Sequence, residues 1–281
     1  MSVNSKISET AFAALLLRAL SNYENSGKVK TNDFLAEAFL PEDRIAVLSD
    51  RNMREDLKKQ IPKGLYEYVI ARTNYFDNVF IEGLKNKINQ IVILGAGYDS
   101  RSYRFNKLIG QTRIFELDSR PTQEHKISVL ERNKISVHEN IAFIAMDFEA
   151  DDFSETLRKN NFDESLKTLF IWEGVTFYLT EKTVVSMMKT MRDISGGGSE
   201  LVFDFQTIFD ESDLVETGVK NEQIRFGIKN GEIVNFVVKN GFKIIEHLRS
   251  EDMEKKFLML ENGNILGSIS PIMNFLRVGH D

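Results

Sequence analysis

From Gln90 onward the chain alternates short apolar runs with polar segments of helix length, and this alternation restricts the possible folds more than any other feature. The runs are IVILG (91–95), RIFELD (113–118), IAFIAMD (141–147), TLFIWEG (168–174) and ELVFDF (200–205). They are β-branched and aromatic, and too short for buried helices, so they read as strands. Pro121 to Asn133, Phe153 to Asn160 and Glu181 to Ile194 suit crossover helices between them, with Gly196 to Gly198 ending the last. Continuously apolar strands need cover on both faces, so the expected architecture is α/β: a doubly wound, Rossmann-like, mostly parallel sheet. After Phe205 a final helix, a turn at Asn240-Gly241 and a strand are expected, with NFLRV (274–278) as one more.

The region before Gln90 reads as helical, over Ala11 to Leu20, Thr31 to Phe39 and Ile61 to Leu84, punctuated by Pro41 and Pro62. With 281 residues the chain has length for one large domain, 1–281. Within it, residues 1–88 are expected to form a helical cap, 89–281 the sheet-bearing core, and a stretch near 207–228 a lid.

Several function classes are excluded early. A net charge of −6 and the lack of any basic stripe argue against nucleic acid as a partner. Without cysteine there are no disulfides, thiolate metal sites or thiol nucleophiles, and the four histidines are not spaced as metal ligands, so no metal is expected. The opening MSVNSKISETAFAALLL has no basic segment before a short apolar stretch, so it reads as an amphipathic helix rather than a leader or membrane span. A cytoplasmic protein with no membrane contact is the expectation.

The strongest local signal is the strand that runs into Leu94-Gly95-Ala96-Gly97-Tyr98-Asp99-Ser100. Glycines there permit a tight turn and a closer ligand approach than a Cβ allows, which implies a nucleotide-like cofactor. Asp118 ends the next strand 21 residues after Gly97, followed by Ser119. An acid at that distance accepts hydrogen bonds from ribose hydroxyls. Dinucleotides and S-adenosylmethionine both fit so far. An aspartate at position 99 would repel a pyrophosphate, whereas the ammonium and sulfonium of S-adenosylmethionine tolerate it, so the second reading gains. Asp147 and Phe148, at the end of the third strand, are placed to meet an adenine amine and ring face. Glu173 and Gly174 end the fourth, close to Tyr178, where a methyl group would meet its acceptor.

These stretches in combination resemble the leucine carboxyl methyltransferase family and its bacterial polyketide O-methyltransferase branch. The resemblance runs through Ala71-Arg72-Thr73-Asn74-Tyr75-Phe76-Asp77, LGAGYDSR (94–101), FELDSRPTQEHK (115–126), MDF (146–148) and WEGVTFYL (172–179), and covers roughly residues 5 to 245. It implies a methyltransferase sheet ending in an antiparallel C-terminal strand. It also implies S-adenosylmethionine as cofactor, with Arg72 on its carboxylate, Gly95, Ala96 and Gly97 along the methionyl part, Asp118 and Ser119 at the ribose, Asp147 and Phe148 at the adenine, and Glu173 and Gly174 on the ammonium side. Lys126 is taken as structural. The acceptor would be a carboxylate or phenolic hydroxyl of a small molecule, polyketide-like or otherwise. Glu173 and Tyr178 are the nearest candidates for a base, and no base is assigned. Tyr75, Phe209 and Phe226 are candidate lining residues. An NAD(P)-dependent oxidoreductase and a non-catalytic cofactor-binding protein are the competing readings.

Overall fold

The computed structural model describes residues 9–210 and 223–281. Its strands are β1 (Gln90–Leu94), β2 (Arg113–Asp118), β3 (Ile141–Ala145), β4 (Thr168–Trp172), β5 (Glu200–Ile208), β6 (Ile228–Lys229), β7 (Lys243–Arg249) and β8 (Met273–Gly279). They form one sheet in the order β3-β2-β1-β4-β5-β8-β7, with the short β6 pairing the end of β5. Neighbours from β3 to β5 are parallel, while β8 lies antiparallel to both β5 and β7. The doubly wound α/β sheet with a reversed C-terminal strand is therefore present.

The helices are α1 (Glu9–Ser21), α2 (Glu42–Ser49), α3 (Arg51–Gln60), α4 (Leu65–Lys85), α5 (Arg101–Arg104), α6 (Arg120–Arg132), α7 (Phe153–Lys159), α8 (Glu181–Asp193), α9 (Ile233–Lys239) and α10 (Ser250–Phe257). Successive strand residues alternate between two cores, as a side-chain period of two requires. Ile91, Ile93, Leu169, Ile171 and Val202 join Leu15 of α1, Phe76 of α4 and Phe257 of α10. Val92, Leu94, Phe170, Trp172 and Phe203 join Leu157 of α7, Met188 of α8 and Val237 of α9. Most of the phenylalanines fall within these two clusters, which accounts for their abundance as packing.

The N-terminal third departs from the periodicity reading. Residues 31–39 do not form a helix: Asn32 adopts φ 53°, and only Ala36–Phe39 make a 3-10 turn. The extended stretch carries Asp33 into the interior and lets Thr31 Oγ1 donate to the Arg18 carbonyl at 3.1 Å. The long helix starts at Leu65 rather than Ile61, after Gly64 at φ 83°. Helices α2 and α3 were not expected; both are short, α2 fully burying only Leu48 and α3 no residue. Leu57 of α3 packs partly against the core, and the helix is also held by its Asp50 cap, which accepts from the Asn52 and Met53 N–H groups, and by the ion pair of Lys58 with Glu24 at 2.7 Å. Of the expected lid, residues 211–222 lie outside the described residues.

Candidate active site

The strand order reverses direction between β1 and β4, and open α/β sheets take ligands beyond the carboxyl ends of the strands at such a point. The turn after β1 places Gly95 at φ 65° and Gly97 at φ 42°, both in the left-handed region. A Cβ on Gly95 would lie 2.3 Å from Val175 Cγ2, so the loop after β4 also requires a glycine there. A Cβ on Gly97 would meet Ala11 of α1 at 3.5 Å, and Phe12 packs its ring 4.7 Å from that of Tyr98. Helix α1 thus closes over the glycine turn, with Ala96 buried beneath.

Asp118 stands half-buried at the end of β2. Its Oδ2 accepts from the Gly97 N–H at 2.6 Å, and its Oδ1 accepts from the Ser119 N–H at 2.6 Å and from Ser119 Oγ at 3.1 Å. A carboxylate offers about four lone-pair sites, so Oδ2 keeps one for a ligand. Burial raises the Asp118 pKa, against the opposing pull of these donors and of Lys126. Lys126 itself forms a buried pair with Glu116 at 2.7 Å, the structural role expected of it.

At the end of β3, Asp147 Oδ1 accepts from the Glu149 N–H at 2.9 Å. It does not cap the next helix; Asp152 does, accepting from the Glu155 N–H. Phe148, half-buried, borders a cavity of about 430 Å³ between the start of α7 and α8.

The charged end of the site is built from α4, the loop after β4, and β5. Arg72 Nε lies 3.0 Å from Glu173 Oε1, without the alignment of a hydrogen bond, and Arg72 Nη1 lies 3.5 Å from Asp204 Oδ2. The other oxygen of Glu173 pairs with Arg101 Nη2 at 2.7 Å. Gly174, at φ 70°, leaves room for the guanidinium, since a Cβ there would sit 3.0 Å from Arg72 Nη1. Burial opposes the Arg72 charge, yet Glu173, Asp204, Tyr68 and Tyr178 together hold its pKa above the ordinary value. Tyr178 lies half-buried in the 3-10 turn Thr176–Tyr178.

Ion pairs continue from this end toward α1. Arg101 also pairs with Asp99 at 2.6 Å and Asp77 at 2.8 Å, Arg104 joins Asp77 to Asp33, and Arg18 joins Asp33 from α1. Four arginines and five carboxylates run from Arg18 to Asp204, leaving one negative charge in excess when all are ionised. Asp99 is held inside this array: burial works to raise its pKa, but Arg101, Lys126 and the Arg101 N–H outweigh that and lower it, so the carboxylate answers Arg101 first.

Two candidate lining residues are packing instead: Tyr75 stacks on Phe275 at 4.9 Å, and Phe226 is buried beside Phe236. Phe209 is exposed at the end of β5. Arg101, Asp204, Tyr68 and Gln206 were missed. Two of them carried a legible signal, since Asp204 and Gln206 interrupt an otherwise apolar strand on one face. Among the described residues no three His, Cys, Asp or Glu side chains stand together as metal ligands.

The arrangement offers a guanidinium beside two carboxylates at one end and a lone acid beside a glycine turn at the other. That set matches an amino-acid zwitterion joined to a sugar diol. The model of the leucine carboxyl methyltransferase family matches residues 11–192. The chain is 27% identical over 263 residues to a Bacillus subtilis protein named "Putative S-adenosyl-L-methionine-dependent methyltransferase YktD", covering 83% of this chain and 86% of that one. A protein of Mycolicibacterium vanbaalenii with the same functional name is 34% identical over 144 residues, 51% of this chain and 48% of its own. Among solved structures, a "putative methyltransferase" from Thermobifida fusca shares the fold at a TM-score of 0.57 and 16% identity, covering 99% of this chain and 96% of that one.

Proposed function

The chain belongs to the leucine carboxyl methyltransferase family, and from that premise we propose that it methylates a carboxylate or phenolic oxygen of a small molecule. It is an S-adenosylmethionine-dependent methyltransferase, and S-adenosylmethionine is its cofactor. The residues fit that cofactor. Among the described residues Arg72 Nε is buried with no aligned acceptor, Asp118 Oδ2 has a lone pair to spare, and the charge array, when all its groups are ionised, carries a net negative charge suited to a cationic ligand. Arg72 would hold the carboxylate, Glu173 and Gly174 the ammonium side, Gly95, Ala96 and Gly97 the methionyl chain, Asp118 and Ser119 the ribose, and Asp147 and Phe148 the adenine. The convergence of Arg72, Glu173 and Asp118 at the switch point of the sheet carries this reading.

When bound, S-adenosylmethionine supplies a sulfonium methyl group, whose C–S electron pair returns to sulfur as the acceptor oxygen forms its bond. The chain's task is then mainly to hold the acceptor in line. Both oxygens of Glu173 face guanidinium groups, Oε1 toward Arg72 and Oε2 toward Arg101, which favours a charge-pairing role over that of a base. Tyr178 is a phenol, a weak base while neutral. An acceptor already ionised at neutral pH needs neither, which favours a carboxylate over a phenol. Gln206 supports an oxygen acceptor as well: it lies on the Asp204 face of β5, buried, and its Nε2 has no partner among the described residues. An unmade buried donor costs about 1–3 kcal/mol, and an acceptor oxygen would recover it. Gln206→Leu is expected to leave S-adenosylhomocysteine affinity within about twofold and to raise thermal stability by about 1–3 kcal/mol. A fall in the melting temperature would show that Gln206 is a structural residue.

A cytoplasmic location and a small, non-nucleic-acid acceptor belong to the same proposal. It is supported by the net charge of −6 and by the absence, among the described residues, of any helix long and apolar enough to cross a membrane. Isothermal titration with S-adenosylhomocysteine, with NAD and NADP as controls, tests the cofactor assignment. Selective micromolar binding is expected, and a preference for NAD would return the oxidoreductase. Transfer of a labelled methyl group to a panel of carboxylic acids and phenols then distinguishes an enzyme from a binding protein.

A further inference from the structure

We infer that Asp204 is the fixed carboxylate that aims Arg72 at the cofactor's carboxylate, with Tyr68 holding Asp204 in place. Asp204 lies beyond residues 11–192, the span matched by the family model, and the inference rests on the reading of Arg72 given above.

Arg72 has two acidic neighbours of different standing. Glu173 Oε1 is at 3.0 Å, but its second oxygen belongs to Arg101, and it sits in the loop just past β4. Asp204 is within β5, fully buried, and fixed from several directions. Its Oδ1 accepts from the Gly174 N–H at 2.7 Å, its Oδ2 accepts from Tyr68 Oη at 2.5 Å, and its backbone carbonyl accepts from Thr176 Oγ1. Tyr68 stands one helical turn before Arg72 on α4, with the guanidinium carbon 5.4 Å from its ring centre, so one helix presents both the cation and the donor.

A ligand carboxylate and ammonium arriving together give Glu173 a new cationic partner and Arg72 a new anionic one. Glu173 then exchanges one contact for another. Asp204, sealed from solvent behind Tyr68 and Gly174, has nothing to exchange, and it stays as the counter-charge that fixes the position of Arg72. Without it the guanidinium would follow Glu173 and lose its fork alignment, on which bidentate recognition depends.

The test uses two probes that share adenosine and a thioether but differ in the amino-acid end: S-adenosylhomocysteine and 5′-methylthioadenosine. Both are titrated into the wild-type protein, Asp204→Asn and Tyr68→Phe. Asp204→Asn is expected to weaken S-adenosylhomocysteine by at least about tenfold, as for a lost charge-assisted contact, while 5′-methylthioadenosine stays within about twofold. Tyr68→Phe, which keeps the carboxylate but removes its donor, is expected to show the same selective loss at about threefold. If Asp204→Asn does not fold, Tyr68→Phe carries the decision alone. Parallel losses for both probes, or no loss for either, would overturn the inference. A wild-type protein that binds the two probes equally would instead overturn the assignment of Arg72, before Asp204 is in question.

Discussion

Replacing Arg101 with methionine is expected to cost about 3–5 kcal/mol of stability, a loss of roughly 6–20 °C in melting temperature for a chain of this size. Arg101 is buried and serves three carboxylates, Asp77, Asp99 and Glu173, at 2.6–2.8 Å. Methionine preserves much of the stem packing but leaves three largely buried acids with one cation fewer. The penalty arises from the abandoned partners rather than from the lost bonds, so a second substitution should recover part of it. In a double-mutant cycle, Glu173→Gln on the Arg101→Met background should lower stability by less than it does alone. A melting temperature within about 3 °C of wild type would show that the array is not charged as drawn.

Asp118→Ala is expected to weaken S-adenosylhomocysteine by about 10–100-fold, the loss for a hydrogen bond to a charged group. Its acid–base behaviour supplies a second measurement. Burial raises the Asp118 pKa above the ordinary 3.8, so the carboxyl takes up its proton at a higher pH than an exposed aspartate. A protonated carboxyl accepts poorly from sugar hydroxyls, so wild-type affinity should fall on acidification, starting above the ordinary aspartate range. Asp118→Ala should flatten that fall. For stability the sign is reversed: a raised folded-state pKa favours the folded form as pH drops through it. Asp99 behaves oppositely, because its pKa is lowered; its contribution is present above the ordinary value and is lost as pH falls through the folded-state pKa. An Asp118→Ala protein that binds within twofold of wild type would remove the ribose assignment.

The sheet was legible because strands buried on both faces cannot hide: each apolar run from IVILG to ELVFDF became a strand with ends within three residues of those read. The glycine turn and Asp118 were legible because backbone geometry and a fixed spacing set them, and both stand at the switch point. The N-terminal third resisted reading for the opposite reason. Helix α3 is held in part by a side-chain cap and a long-range ion pair, neither of which has a period, and residues 31–39 gave up helix to bring Asp33 to Arg18. Arg101 was invisible for a related reason, and Asp204 showed only as a polar break in an apolar strand. An arginine at the start of a short helix and an aspartate inside a strand acquire meaning only when α4, β4 and β5 come together.

The chain of ion pairs from Arg18 to Asp204 also bears on how such a sequence drifts. A neutral substitution at any one link strands a charge on its neighbour, so single replacements are filtered out, whereas paired replacements that remove one cation and one anion pass at low cost. Descendants of this chain should therefore lose or keep Arg18 with Asp33, and Arg104 with Asp77, as couples. Arg101, which answers to three acids at once, has no single partner to leave with and should be among the last positions to change.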